Sequence, residues 1–262
     1  MRLEFPRSSA GVALLMLSIF VTGCASSLYG WQVRTSSTPM PPSFQPAVFE
    51  YHTVALFGAI TPPALHGNEV ALSYELDLIL HKVSPNWKVM SPQELAKRIN
   101  RQGLAGAYTK MRADFEISHI LDGGTLRKIA SALGVRYVFQ PYLAAFTQTM
   151  TDRWSFPPID LRVTQTRSSI MRISLQLWDA ETGEIVWGSL AETTMQNEGL
   201  SQDPVHLVDV TRATFGSIMT DFKYRKTAST YTPVNKFLND LIEESVPREK
   251  TEDQEITQPN KK

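Results

Sequence analysis

The sequence predicts an α/β fold: a single domain in which a mixed β-sheet has helices packed against it, with an antiparallel hairpin near its C-terminal end. Three observations lead there. Between residues 52 and 139, short apolar runs alternate with segments whose apolar residues recur at helical spacing. Gly134 separates a helical stripe (Leu126, Ile129, Ala130, Leu133) from the alternating run 135–139 with no linker between them. Further on, Ile173, Leu175 and Leu177 alternate with Arg172, Ser174 and Gln176. Asp179-Ala-Glu-Thr-Gly183 then supplies a turn, and residues 184–188 return as the partner strand.

The chain opens with the order of a secretory signal peptide over residues 1–23: Arg2 and Arg7, an apolar segment from 11 to 21, then small residues. The apolar run is about a dozen residues, short of the roughly 18–20 that span a bilayer. It ends Val21-Thr22-Gly23-Cys24, and Cys24 is the only cysteine. These four residues resemble the lipobox of bacterial lipoproteins. The resemblance implies cleavage between Gly23 and Cys24, a diacylglycerol on the Cys24 sulfur and acylation of the new amino terminus. A lipid bilayer is then the first partner, and several acyl chains hold persistently where one holds reversibly. Ala25, not Asp, follows the cysteine. Under the sorting rule of enteric-type lipoproteins this implies the outer membrane, with the chain facing the periplasm. The alternative is a cleaved signal followed by an ordinary free thiol.

Residues 24–48 read as the lipidated cysteine and a tether rich in Pro, Ser and Thr (SSTPMPPSFQP), because such segments prefer extended, solvated backbone. Some 20 residues at about 3.1–3.3 Å each would reach roughly 60–70 Å from the membrane. The alternative is an arm packed on the domain through Trp31 and Phe44. The α/β domain is expected over 49–225. Its first strand is the run 52–58, halted before Pro62-Pro63. Asn68 then caps a helix to about Val83, with Leu72, Leu76, Ile79, Leu80 and Val83 on one stripe. Residues 87–90 form the next strand. Ser91-Pro92-Gln93-Glu94 has capping-box form and opens a helix to about Arg101. Residues 106–115 read as helical, and Asp122-Gly-Gly-Thr125 opens the helix that Gly134 closes. After the hairpin, Asp203-Pro204 caps a helix to about Phe222 that aligns Leu207, Thr211, Phe215, Ile218 and Phe222. Residues 226–262 read as a largely disordered, charged tail with one short amphipathic helix over 234–242.

Composition narrows the role. Lys+Arg and Asp+Glu both number 26, and a neutral chain without a basic block argues against nucleic acid as a partner. Twelve Phe, eight Tyr and five Trp supply material for a packed core, which must stand without disulfides. Nothing repeats at a fixed period.

Three stretches carry a family likeness: the opening strand 52–58, the phrase Ile129-Ala-Ser-Ala-Leu-Gly-Val-Arg-Tyr-Val-Phe139, and the hairpin Leu175-Gln-Leu-Trp-Asp-Ala-Glu-Thr-Gly-Glu-Ile-Val-Trp187. They resemble the envelope lipoprotein superfamily that includes the curli-secretion lipoprotein CsgG, the penicillin-binding-protein activator LpoB and the amino-terminal domain of TolB. The resemblance implies a mixed sheet with packed helices, tethered to a membrane and contacting other envelope proteins. The chain departs from the pore-forming branch, since residues 145–169 are too polar for the ten-residue alternation of a membrane barrel. Instead Trp154-Ser-Phe-Pro-Pro158 forms the tip of an excursion between two strands, and Trp154, Phe156 and Pro157 are the candidate partner-contact residues. The alternative folds Trp154 and Phe156 back onto the domain.

Catalytic patterns are missing. His52, His66, His81, His119 and His206 are scattered without zinc spacing, and neither a G-x-S-x-G elbow, a Walker-type loop nor G-x-G-x-x-G occurs. Asp122-Gly-Gly-Thr125 is explained as a helix cap, and Asp179 and Glu181 as turn residues. Trp178 and Trp187 read as sheet-face core rather than a sugar platform. The expectation is therefore a non-enzymatic outer-membrane lipoprotein that acts by protein–protein contact in the cell envelope, without metal or cofactor. Two alternatives stand beside it: a periplasmic hydrolase of cell-wall or glycan material, and a subunit of a CsgG-like oligomeric ring.

Overall fold

The chain enters the sheet earlier than its composition suggests. In the computed structural model, which describes residues 28–152, 155–156, 161–162, 165–199 and 205–227, the first element is a ten-residue strand, β1 (Leu28–Ser37). The segment expected to be a tether is thus the outermost strand of the sheet. Its Ser and Thr residues follow a strand alternation: Val33 and Thr35 are buried while Gln32, Arg34 and Ser36 are exposed. Phe44, also within that segment, is buried, and a 3-10 turn follows over Pro46–Glu50. Low-complexity composition concealed a half-buried strand.

The remaining elements follow in the predicted order. They are β2 (Val54–Leu56), α1 (Glu69–Val83), β3 (Val89–Met90), α2 (Pro92–Arg101), α3 (Ala105–Ser118) and α4 (Gly123–Leu133). Then come β4 (Tyr137–Asp152), the two-residue strands β5 (Ser155–Phe156) and β6 (Leu161–Arg162), β7 (Gln165–Asp179), β8 (Glu184–Gly199) and α5 (Leu207–Lys223). The mixed six-stranded sheet runs β1-β8-β7-β4-β2-β3. The first four strands in that order are antiparallel, whereas β2 lies parallel to both β4 and β3. The sheet does not close, so β1 and β3 are its outer strands.

Local chemistry explains the helix ends. Ser91 Oγ accepts the Glu94 N–H at 3.3 Å and Pro92 occupies the first helical position of α2. The reciprocal half of the box is not made, because the Glu94 carboxylate takes Arg98 Nε at 2.8 Å. Asp122 caps α4 by accepting the Thr125 N–H. Gly134 closes α4 in the left-handed region (φ +69°), with Val135 N–H on Ala130 O and Gly134 N–H on Ser131 O, a Schellman motif. Two start signals read differently. Asn68 precedes α1 but its side chain turns back to Leu65 O. The α5 N-cap is His206, three residues past Asp203, while Asp203 and Pro204 lie outside the described residues.

The sheet has two differently clothed faces. On the first, α1 and α5 cover a core of Val54, Leu56, Phe139, Ile173, Leu175, Leu177, Trp187 and Phe222. Phe222 is fully buried, its ring 4.7 Å from Trp187, 5.5 Å from Phe139 and 5.7 Å from Trp87. On the second, α2, α3 and α4 bury Ala55, Phe57, Val138, Leu126 and Ile129. Ordinary alternation along β7 sends Trp178 to the second core, one residue after Leu177 in the first, and Trp187 stays in the first opposite Leu177; the bulge nearby leaves Val186 of β8 without a partner on β7. Both indoles are therefore core, though on opposite faces.

The long strands overturn one expectation of length. β4 and β7 run without interruption through 145–152 and 165–169, where the polar stretch suggested an excursion leaving the sheet. A strand with one solvated face accommodates Thr, Gln and Ser, so polarity there does not end the ladder.

Candidate functional site

The cover on the second face stops at β4. Its core takes only Trp178 and Ala180 from the chain beyond β4, and nothing from β8 or β1. Four adjacent strands, β4, β7, β8 and β1, thus present a face with no helix over it among the described residues, apart from the end of β4 and β7 near the turn. Strand register places Arg34, Glu192, Arg172 and Ala145 side by side in one row across it. Arg172 Nε lies 2.5 Å from Glu192 Oε2. The next row toward the turn holds Ser36, Leu190, Ser174 and Tyr142, and the next away from it Gln32, Thr194, Ile170 and Thr147. Leu190 is 50% exposed and Ile170 39%. The result is a flat polar surface with a cation–anion–cation row flanked by two aliphatic side chains. His119 borders it, with its ring 4.8 Å from Tyr142.

A second feature lies at the opposite edge. An open groove of about 550 Å³ runs along β3 between α1 and α2, lined among others by Asp77, His81, Lys88, Glu94 and Arg98. The two carboxylates there are held differently. Burial pushes the Asp77 carboxyl up, partly offset by His81, while the hydrogen bond from Arg98 holds Glu94 down. Asp77 Oδ1 is buried without a hydrogen-bond partner, 3.6 Å from His81 Nδ1. That ring nitrogen makes its own contact at 2.8 Å to the Asp77 backbone oxygen. Glu94 is committed to Arg98, so the groove offers one ion-paired carboxylate and one buried carboxylate beside His81 rather than two free carboxylates.

The residues singled out from sequence are placed unevenly. Gly23, Cys24, Trp154 and Pro157 lie outside the described residues, and Phe156 is described only as backbone in β5, paired with Leu161. The strand register places the described residues nearest to them in the chain. Leu28, Glu198, Thr166 and Thr151 form one row at a single end of the sheet. Cys24 precedes Leu28 by four residues, at most about 14 Å of extended chain. Trp154 follows Asp152 by two. The cysteine and the predicted contact tip therefore join the domain at the same end of the sheet.

Elsewhere the polar clusters have structural explanations. Asp179 Oδ1 accepts the Glu181 N–H at 2.9 Å as a turn residue, and its Oδ2 takes Arg136 Nη2 at 2.7 Å. Arg112 clamps the loop after β2 by donating to Gly58 O and Ala59 O, both at 2.8 Å. Among the described residues no group of three His, Cys, Asp or Glu is placed to hold a metal ion. No helix among them is long and apolar enough to cross a membrane. The uncovered face itself was missed from sequence, although one signal was present. Arg172, Ser174 and Gln176 were legible as the polar side of a strand, but their neighbours on β1 were read as tether and β8 was expected to stop at 188.

No protein-family model matches the chain, and no curated protein does. Among solved structures, it is similar to the PelC dodecamer of Paraburkholderia phytofirmans at 12% identity over 73% of this chain and 97% of that one, with a TM-score of 0.40. A lipoprotein of Neisseria meningitidis matches at 12% identity over 64% and 93%, with a TM-score of 0.38. The C-terminal domain of LpoB from Salmonella enterica matches at 17% identity over 54% and 81%, with a TM-score of 0.33. Likenesses at this level carry no statement about the role of this chain.

Proposed function

We propose that this chain is a lipid-anchored protein of the bacterial envelope, held to the outer membrane through acylated Cys24, that acts without catalysis by presenting its uncovered sheet face to another envelope protein. The observation that carries the reading is the four-strand surface with no helix over it among the described residues. Antiparallel sheets commonly leave one face to water, and a flat ladder of Thr, Ser and Gln with an ordered charge row suits a polar, reversible contact. The short link between Cys24 and β1 supports a domain that sits close to the lipid surface rather than at the end of a long leash. Trp154, Phe156 and Pro157, whose chain neighbours Thr151 and Thr166 share the Leu28 end of the sheet, are the proposed additional contact residues.

The test uses the full exported chain in cells. A photo-crosslinking residue in place of Leu190 is expected to trap a discrete envelope protein, and the same residue at Tyr74, exposed on the outer side of α1, is not. Equal trapping at the two positions sinks the docking face. Arg34→Glu with Arg172→Glu puts three carboxylates in one row and is expected to reduce trapping at least tenfold. The exposed pair it breaks is worth only about 0.2–1 kcal/mol, so the fold survives. Separately, Cys24→Ser is expected to move the protein from the membrane to the soluble periplasmic fraction, and its retention with the membrane would end the anchoring claim.

A further inference from the structure

The outer strand opposite β1 forms the floor of the groove between α1 and α2. Val54 N–H bonds Lys88 O, and the parallel register pairs Val54 with Val89 and Ala55 with Met90. Lys88 and Met90 therefore turn their backbone groups toward β2, and Val89 turns both its N–H and its C=O outward, into the groove. No described residue bonds either group. The side chains alternate as well: Val89 packs against the first core, on the α1 side, and Met90 belongs to the second.

On the α1 wall, Asp77 has no Lys or Arg partner among the described residues. Its side chain is 23% exposed and its Oδ1 is buried without a hydrogen bond. His81 does not supply one. A carbonyl only accepts, so the Nδ1 proton goes to Asp77 O at 2.8 Å, and Oδ1 stands 3.6 Å from the same nitrogen. The other cations of the groove are engaged elsewhere: Arg98 donates to Glu94 at 2.8 Å on the α2 wall, and Lys88 reaches Tyr51 O at 3.4 Å. Buried carboxylates are ordinarily paired, and the groove is the open approach to this one.

We propose that the groove takes an extended peptide segment of another protein as a strand antiparallel to β3, with a Lys or Arg side chain on Asp77. A single antiparallel residue opposite Val89 exchanges both hydrogen bonds with it. Its side chain then shares Val89's side of the sheet, the α1 side, where Asp77 stands. The residues before and after it face α2, where the Glu94–Arg98 pair is closed on itself and suits uncharged side chains. A volume of about 550 Å³ is in the range of ligand-binding clefts. Backbone pairing supplies attachment and the side-chain slots supply selectivity. Because β3 is two residues long, the contact is weak and depends on the basic side chain. It lies at the edge away from the uncovered face and stands or falls apart from that docking reading.

Capped peptides added to the purified full chain in detergent test the site. With acetyl-Thr-Val-Lys-Val-Thr-amide at millimolar concentration, hydrogen exchange at the Val89 amide is expected to slow at least tenfold. Glu in place of the central Lys is expected to weaken binding at least fivefold. Methylating the Lys backbone nitrogen, which removes the N–H that meets Val89 O, is expected to abolish the protection. In Asp77→Asn the Lys and Glu peptides are expected to bind within twofold of each other. Unchanged exchange at Val89 with every peptide overturns the proposal, as does protection that survives the backbone methyl. Equal binding of the Lys and Glu peptides by the unaltered chain, or a Lys preference that persists in Asp77→Asn, overturns the pairing with Asp77.

Discussion

Glu75 and Arg212 join the two helices of the first face. Arg212 Nε lies 2.5 Å from Glu75 Oε2 and its Nη2 3.2 Å from Oε1, a two-pronged contact with side chains 15% and 5% exposed. Such a pair contributes little over a well-packed apolar pair, but removing one member strands the other charge in the core. Arg212→Ala is expected to cost about 3–5 kcal/mol in urea unfolding, whereas Arg212→Met with Glu75→Leu is expected to restore most of that loss. If the double variant is no more stable than Arg212→Ala, the cost lies in helix packing and not in the stranded carboxylate. No sequence signal paired these residues, because 137 positions separate them. Gly58 shows the same limit. It reads as the end of an apolar run, yet a Cβ there would stand 2.5 Å from Arg112 Nη1, so its smallness serves an arginine 54 positions away.

At the scale of elements, helices with explicit end chemistry were legible, and the strands of the main sheet other than β1 were legible in place but not in length. The Asp122 cap and Gly134 both act as their positions suggest, and hydrogen bonding by Thr125 holds the Asp122 carboxyl below its ordinary value. A carboxyl depressed in the folded state gives stability that is present above the ordinary carboxylate range and is lost as pH falls through the depressed value. Asp122→Asn keeps an acceptor at the cap but removes the charge. The thermal midpoints of the two proteins are therefore expected to differ most near neutral pH and to converge below about pH 4. A difference that is constant across that range would remove Asp122 from the acid limb. Strand length escaped prediction for a physical reason. The sequence shows alternation where apolar residues mark it, as in Ile173, Leu175 and Leu177, but beyond them the inward positions of β8 are Ser189, Ala191 and Thr193. Thr193 is buried by a hydrogen bond to Thr214 Oγ1 at 2.6 Å, a partner on α5 that composition cannot reveal.

For the whole molecule the largest departure concerns where the domain begins, and it separates two physical pictures of the protein. A spacer over 24–48 would leave a domain that folds without it. A strand over Leu28–Ser37 makes the same segment part of the core. β1 buries Val33 completely, places Thr35 Oγ1 on the buried Asp221 carboxylate and sets Ser37 Oγ 2.9 Å from Ser189 Oγ. Removing it exposes apolar surface worth about 1.5–3 kcal/mol for Val33 alone. It also deprives Asp221 of a buried donor, at about 1–3 kcal/mol, and opens the β8 edge to other chains. A soluble form beginning at Pro39 is therefore expected to lose more than about 3 kcal/mol against one beginning at Ala25, and to associate on its new edge. Urea unfolding and sedimentation of the two forms distinguish the pictures. Coincident unfolding curves and equal masses would return residues 28–38 to the role of spacer. A lower midpoint with aggregation of the shorter form keeps the sheet end, and with it the row Leu28, Glu198, Thr166 and Thr151, within a few residues of Cys24, the position proposed for lipidation.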